Sequence, residues 1–77
     1  MRETLRNRLK EERLRLGLTQ AELARLVRVS RKTINTIENH FFVPSTVLSL
    51  RLARTLGVPV EQLFELVDED LEEPGDP

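Results

Sequence analysis

Residues 19–39, Thr-Gln-Ala-Glu-Leu-Ala-Arg-Leu-Val-Arg-Val-Ser-Arg-Lys-Thr-Ile-Asn-Thr-Ile-Glu-Asn, constrain this chain more than any other stretch. Thr19 and Ser30 each precede an amphipathic run, and a hydroxyl at such a position accepts a hydrogen bond from the unpaired N–H groups of a helix's first turn. Glu22 stands three residues after Thr19, the spacing of a capping box. Leu23, Ala24 and Val27 make one apolar stripe and Ile34 and Ile37 a second, with Val29 between them to fill the angle where two helices meet. A side chain as small as Ala24 lets the second helix cross close to the first. The spacing predicts helices over about 20–27 and 31–38, with Arg31, Lys32, Asn35 and Thr36 on the exposed side of the second.

The flanks extend the helical pattern. Leu5, Leu9 and Leu16, with Arg13 on the same side, predict a first helix over about 4–16, ended by Gly17. His40 to Pro44 break the pattern, after which Ser45 is placed to cap a fourth helix with Leu48, Ser49, Leu52, Ala53 and Leu56 as its core stripe and Gly57 as its stop. Val60, Leu63, Phe64 and Val67 predict a short fifth helix starting near Pro59. No alternating run long enough to predict a strand is present.

At 77 residues the chain has room for one small domain, whose modest core would gain from association with a second copy. Net charge of −1 conceals a strong asymmetry, because residues 1–57 carry all twelve Lys and Arg against five acids, whereas residues 58–77 carry eight acids and no base. A basic body suits a polyanionic partner. The division expected is a domain over 1–67 and an acidic tail over 68–77, too poor in apolar residues to order itself. Without cysteine there is no disulfide framework or thiolate metal site, and nothing calls for a metal or another cofactor. The apolar runs are too short to cross a membrane and no leader pattern opens the chain, so a cytoplasmic location is expected.

The motif and its surroundings resemble the Cro/C1-type helix-turn-helix family of phage and bacterial transcriptional regulators, also called the XRE family. The likeness extends through Arg-Leu-Lys-Glu-Glu-Arg-Leu-Arg-Leu-Gly-Leu-Thr-Gln at 8–20, Pro44-Ser45, Arg51-Leu52-Ala53-Arg54-Thr55-Leu56-Gly57-Val58 and Leu63-Phe64, so it covers roughly residues 5–67. It implies an all-α, five-helix fold in which the third helix enters the major groove of double-stranded DNA and the second crosses the backbone. Arg31, Lys32, Asn35 and Thr36 then become candidates to read bases. Thr19, Gln20, Arg28, Ser30, Asn39 and Ser45 become candidates for phosphate contacts that set register. The family pattern also pairs Arg13 with Glu38 as a buried structural ion pair.

Three departures stand out. Arg28 occupies the turn where the family has glycine, a place where positive φ is expected, and His40 replaces the glycine after Glu-Asn. His40 has no clustered cysteine or acid, which makes it a loop residue rather than a metal ligand or base. Phe41, Phe42 and Val43 fill a loop that is often basic or polar in the family, and with Val47 and Leu50 they form a candidate interface for a homodimer reading a palindrome. The expected function is a small DNA-binding repressor. The alternative is an antitoxin or anti-regulator binding a protein partner through the acidic tail. Catalysis is not expected, since there is no Gly-rich phosphate loop and no carboxylate pair that the fold would bring into a pocket.

Overall fold

The computed structural model describes residues 3–68. In chain order these form β1 (Glu3–Asn7), α1 (Leu9–Arg15), α2 (Gln20–Val27), α3 (Arg31–Glu38), α4 (Thr46–Leu56), α5 (Val60–Leu63) and β2 (Phe64–Asp68). The tail expected to be mobile lies, beyond Asp68, outside the described residues.

Each of the three central helices opens on a hydroxyl cap. The side chains of Thr19, Ser30 and Ser45 accept from the backbone N–H of Glu22, Thr33 and Leu48 at 3.0, 3.1 and 3.1 Å. The Glu22 carboxylate returns a bond to the Thr19 N–H at 2.8 Å, completing the capping box. Helices α1 to α4 all end in one motif, in which a left-handed residue lets the next N–H reach back five residues: Leu18 to Arg13, Val29 to Ala24, Phe41 to Thr36 and Val58 to Ala53. Gly17 and Gly57 supply the positive φ in two of them, Arg28 and His40 in the other two.

The predicted apolar stripes converge on a single core. Leu9, Leu23, Val27, Ile34, Ile37, Leu52 and Leu63 are fully buried, with Ala24, Leu48, Ala53 and Leu56 nearly so. Burial of each large aliphatic side chain is worth about 1.5–3 kcal/mol, so this cluster supplies most of what holds so short a chain together. Val29 packs against the cluster between α2 and α3.

The fold is not strictly all-α. Residues predicted to begin α1 and to end α5 instead form a two-stranded antiparallel ribbon, with Glu3 opposite Asp68, Leu5 opposite Leu66 and Asn7 opposite Phe64. Asn7 accounts for the shortened first helix. Its Oδ1 accepts from the Leu9 N–H at 3.3 Å and its Nδ2 donates to the Ile37 carbonyl at 3.0 Å. The side chain thereby ends the strand, starts the helix and ties both to the end of α3. At the other terminus Phe64 turns extended (φ −130°, ψ 129°), and the Arg8 N–H donates to Leu63 O at 2.9 Å, where the ribbon joins the helical body. Leu5 is therefore a ribbon residue rather than part of a helix face, and Leu16, assigned to that face, is exposed.

Candidate nucleic-acid interface

The second and third helices meet through a polar network that begins in the core and ends at the surface. Arg13 donates through Nε to Glu38 Oε2 at 2.7 Å, through Nη2 to Glu38 Oε1 at 3.1 Å, and through Nη1 to the Leu18 carbonyl at 2.8 Å. Both side chains of this pair are over 90% buried, at 8% and 3% exposure. Such a pair is tolerable in a dry site only when its remaining hydrogen-bonding capacity is filled. Gln20 helps to fill it, since its Nε2 donates to Glu38 Oε1 at 3.0 Å and, with the second hydrogen, to Asn35 Oδ1 at 3.1 Å. Among the described residues no buried side-chain nitrogen or oxygen lacks a partner.

From Gln20 the network runs outward along α3. Arg31 Nη1 donates to Gln20 Oε1 at 3.4 Å, and Asn39 Nδ2 donates to Asn35 Oδ1 at 3.1 Å and to the Asn35 carbonyl at 2.8 Å. Arg31, Lys32 and Asn35 are exposed on one side of the helix, and Thr36 is half-buried with its hydroxyl donating to the Thr33 carbonyl at 2.9 Å. The arrangement offers a row of donors: two guanidinium nitrogens or more on Arg31, the Lys32 ammonium and the Asn35 Nδ2. Asn35 Oδ1 already holds two donors, so pairing with adenine through both its atoms requires one of them to let go.

The phosphate candidates separate into three places. Thr19, Gln20 and Asn39 adjoin the Arg31–Asn35 row. Ser45 caps α4, and Ser30 caps α3 with its hydroxyl 3.0 Å from that of Thr33. The Thr19 and Ser45 hydroxyls accept from the helix, which leaves their own hydrogens to donate outward. Arg28 lies at the far end of α2 from Gln20 and opens on a separate groove with Leu26, Arg51, Arg54 and Thr55. There Arg51 Nη1 is anchored on the Val27 carbonyl at 3.0 Å.

Two carboxylates depart from their ordinary behaviour. Glu22 is held below its usual 4.5 by the Thr19 backbone N–H and then by the Thr19 hydroxyl. Glu12 is likewise held down, first by the Gln62 amide at 3.0 Å and then by Arg15 at 2.7 Å.

Phe41, Phe42, Val43, Val47 and Leu50 are all exposed, at 84, 47, 69, 63 and 53%. Neither phenylalanine of the loop fills the domain's own core. The ribbon adds to this apolar face in a way that sequence reasoning missed: Leu5 and Phe64 line a groove with Val43, Pro44, Leu50 and Val60, and Leu66 is 66% exposed. The signal was present in the apolar residues near both ends, but their spacing fits a helix equally well. No helix of the described residues is long and apolar enough to cross a membrane, and no cluster of His and acids among them could hold a metal ion.

Comparison with known proteins matches the sequence profile of the helix-turn-helix family to residues 9–63. An uncharacterized HTH-type transcriptional regulator of Methanothermobacter thermautotrophicus is 45% identical over 67 residues, 86% of this chain and 96% of the relative. The HTH-type transcriptional regulator YgzD of Bacillus subtilis is 35% identical over 66 residues, 86% of this chain and all of the relative. Among solved structures, the restriction-modification controller protein C.AhdI of Aeromonas hydrophila superposes with a TM-score of 0.70 at 35% identity, covering 74% of this chain and 86% of that one.

Proposed function

This chain belongs to the helix-turn-helix family of DNA-binding transcriptional regulators, of the Cro/C1 or XRE type, and from that premise we propose that it is a homodimeric repressor reading a palindromic operator. Its relatives are regulators, a non-enzymatic class.

The observation that carries the reading is the bracing of α3 by Gln20. One amide reaches the buried Glu38 and the exposed Asn35, so the row of Arg31, Lys32 and Asn35 is held on a rigid support before DNA arrives. Fixing those side chains in advance reduces the entropy lost on binding. In the proposed complex α3 lies in the major groove, where Arg31 presents two donors to guanine O6 and N7 and Lys32, Asn35 and Thr36 contact neighbouring edges. The hydroxyls of Thr19, Ser30 and Ser45 and the amides of Gln20 and Asn39 hold phosphates.

The homodimer rests on the exposed apolar set from Phe41 to Leu50, enlarged by Leu5 and Phe64 of the ribbon. Two recognition helices related by a two-fold axis address half-sites about one DNA turn, roughly 34 Å, apart.

Selection of bound sequences from a random DNA pool at two salt concentrations tests the function. A palindromic consensus with a steep salt dependence is expected. If no sequence is enriched, the reading fails in favour of a protein-binding antitoxin or anti-regulator.

A further inference from the structure

The exposed side of α4 is a track with an apolar end and a cationic end. Leu50 belongs to the groove beside the ribbon residues Leu5 and Phe64 and also to the next groove, which it forms with Val47, Arg51 and Arg54. Arg51 and Arg54 in turn belong to the third groove, which Arg28 completes. The order along the helix is therefore ribbon, Leu50, arginines. Among the described residues no carboxylate lies within 4.0 Å of Arg28, Arg51 or Arg54, whereas Arg6, Arg8, Arg13 and Arg15 each have one. Three guanidinium groups lining one groove repel one another unless an anion joins them.

The same chain carries the complementary charge. Beyond Asp68, Glu69, Asp70, Glu72, Glu73 and Asp76 supply five carboxylates with no base among them. In a dimer whose two-fold axis passed near Leu50, the two ends of the track would exchange, and the partner's ribbon, from which its acidic segment continues in sequence, would face the arginine groove. We propose that the acidic segment 69–76 of one copy docks in the groove formed by Arg28, Arg51 and Arg54 of the other. The proposal rests on the homodimer reading and extends it: the apolar half of the track supplies burial, and the charged half fixes which way round the two copies meet. DNA phosphate is the competing anion. Arg28 stands at the opposite end of α2 from Gln20, and its groove is separate from the Arg31–Asn35 row, which favours the acidic segment.

Sedimentation equilibrium of the full chain at about 50 and 500 mM salt provides the test. Arg54 is exposed and has no role in the core, so Arg54→Glu leaves the fold intact, as a melting curve will verify. At low salt Arg54→Glu, and separately the combined change Glu69→Gln, Asp70→Asn, Glu72→Gln and Glu73→Gln, should each raise the dimer dissociation constant about tenfold. The difference should vanish at high salt. Adding Glu72→Lys to Arg54→Glu should restore part of the loss. If the neutralised segment dimerises as tightly as the parent and with the same salt dependence, the docking is overturned while the dimer stands. A parent chain that stays monomeric at every concentration overturns both. An Arg54→Glu variant that dimerises normally but loses DNA affinity overturns the docking and assigns the groove to phosphate.

Discussion

Arg28 and His40 bracket α3 in the same left-handed backbone state, with φ of 65° and 66°. They close α2 and α3 with the motif that Gly17 and Gly57 supply to α1 and α4. A β-carbon in that state costs about 1 kcal/mol relative to glycine. Arg28→Gly should thus stabilise the domain by about that amount and raise the melting temperature by about 4–8 °C, the scale for a domain this small. Arg28→Val should lower it, because a branched side chain fits positive φ worse still. Paired melting curves decide the matter; a destabilised glycine variant would mean that the guanidinium contributes more to the fold than the backbone strain costs.

Arg13 and Glu38 are the buried hinge between α1 and α3, and their loss should be severe. Arg13→Ala leaves a carboxylate in a nearly dry site with only Gln20 to serve it, a loss of about 3–5 kcal/mol. For a domain of this size that is most of the available stability. The variant should show no cooperative melt at room temperature, and a transition near the parent's would refute the structural role.

Base reading and bracing can be separated at α3. Arg31→Ala should relax discrimination at one position of each half-site by about 1–3 kcal/mol, while affinity for other sequences falls little. Gln20→Ala removes the brace rather than the reader. It should weaken binding to every sequence alike, because Asn35 loses a fixed partner and Glu38 a hydrogen bond. Binding titrations against single-base variants of the selected site distinguish the two patterns.

The two depressed carboxylates set an acid limit. Their pKa values in the folded chain lie below the ordinary 4.5, so the folded state prefers the ionised forms. Their contribution is fully present above that value and is lost as pH falls through the lower, folded-state values. Melting temperature should therefore be flat above about pH 5.5 on this account and decline below about pH 4.5. Glu12→Gln should flatten part of the decline, since Gln62 and Arg15 no longer favour a charge there. An unchanged acid limb would exclude Glu12 as a source.

Leu50→Glu tests the apolar face directly. It places a charge at the middle of the α4 track without touching the core, where Leu50 is already 53% exposed. The melting curve should be nearly unchanged at low protein concentration, while sedimentation shows a monomer and DNA affinity falls. A dimer that survives would move the interface elsewhere.

The central helices could be read from the residues because their signals are local. Thr19, Ser30 and Ser45 cap the helices whose stripes they precede, and α2, α3 and α4 start and stop where those stripes do. The ribbon could not be read in this way. Leu5 and Leu9 stand four apart, as do Val60 and Phe64, which suits a helix; what makes strands of these ends is a partner more than 55 residues away. The side chain that decides the boundary, Asn7, acts through bonds to Leu9 and Ile37, and the second of these requires the fold already to exist. At the interface the residue types were legible but their connections were not. That Gln20 would spend both hydrogens on α3, and that Arg28 would face Arg51 and Arg54, are outcomes of helix crossing.

The pairing of Glu3 with Asp68 has a kinetic meaning. Helices α2 and α3 gain their contacts within a short stretch of chain, so they can assemble early, whereas the ribbon must bring together segments separated by almost the whole described length. It is the last part to zip and, with two strands and open edges, the first to come undone. Amide exchange should show this as a fast-exchanging pair of ends on a slow-exchanging helical body. A ribbon that opens without unfolding the rest also releases Leu5 and Phe64 from the α4 groove, so the surface available to a second copy is set by a latch with its own equilibrium.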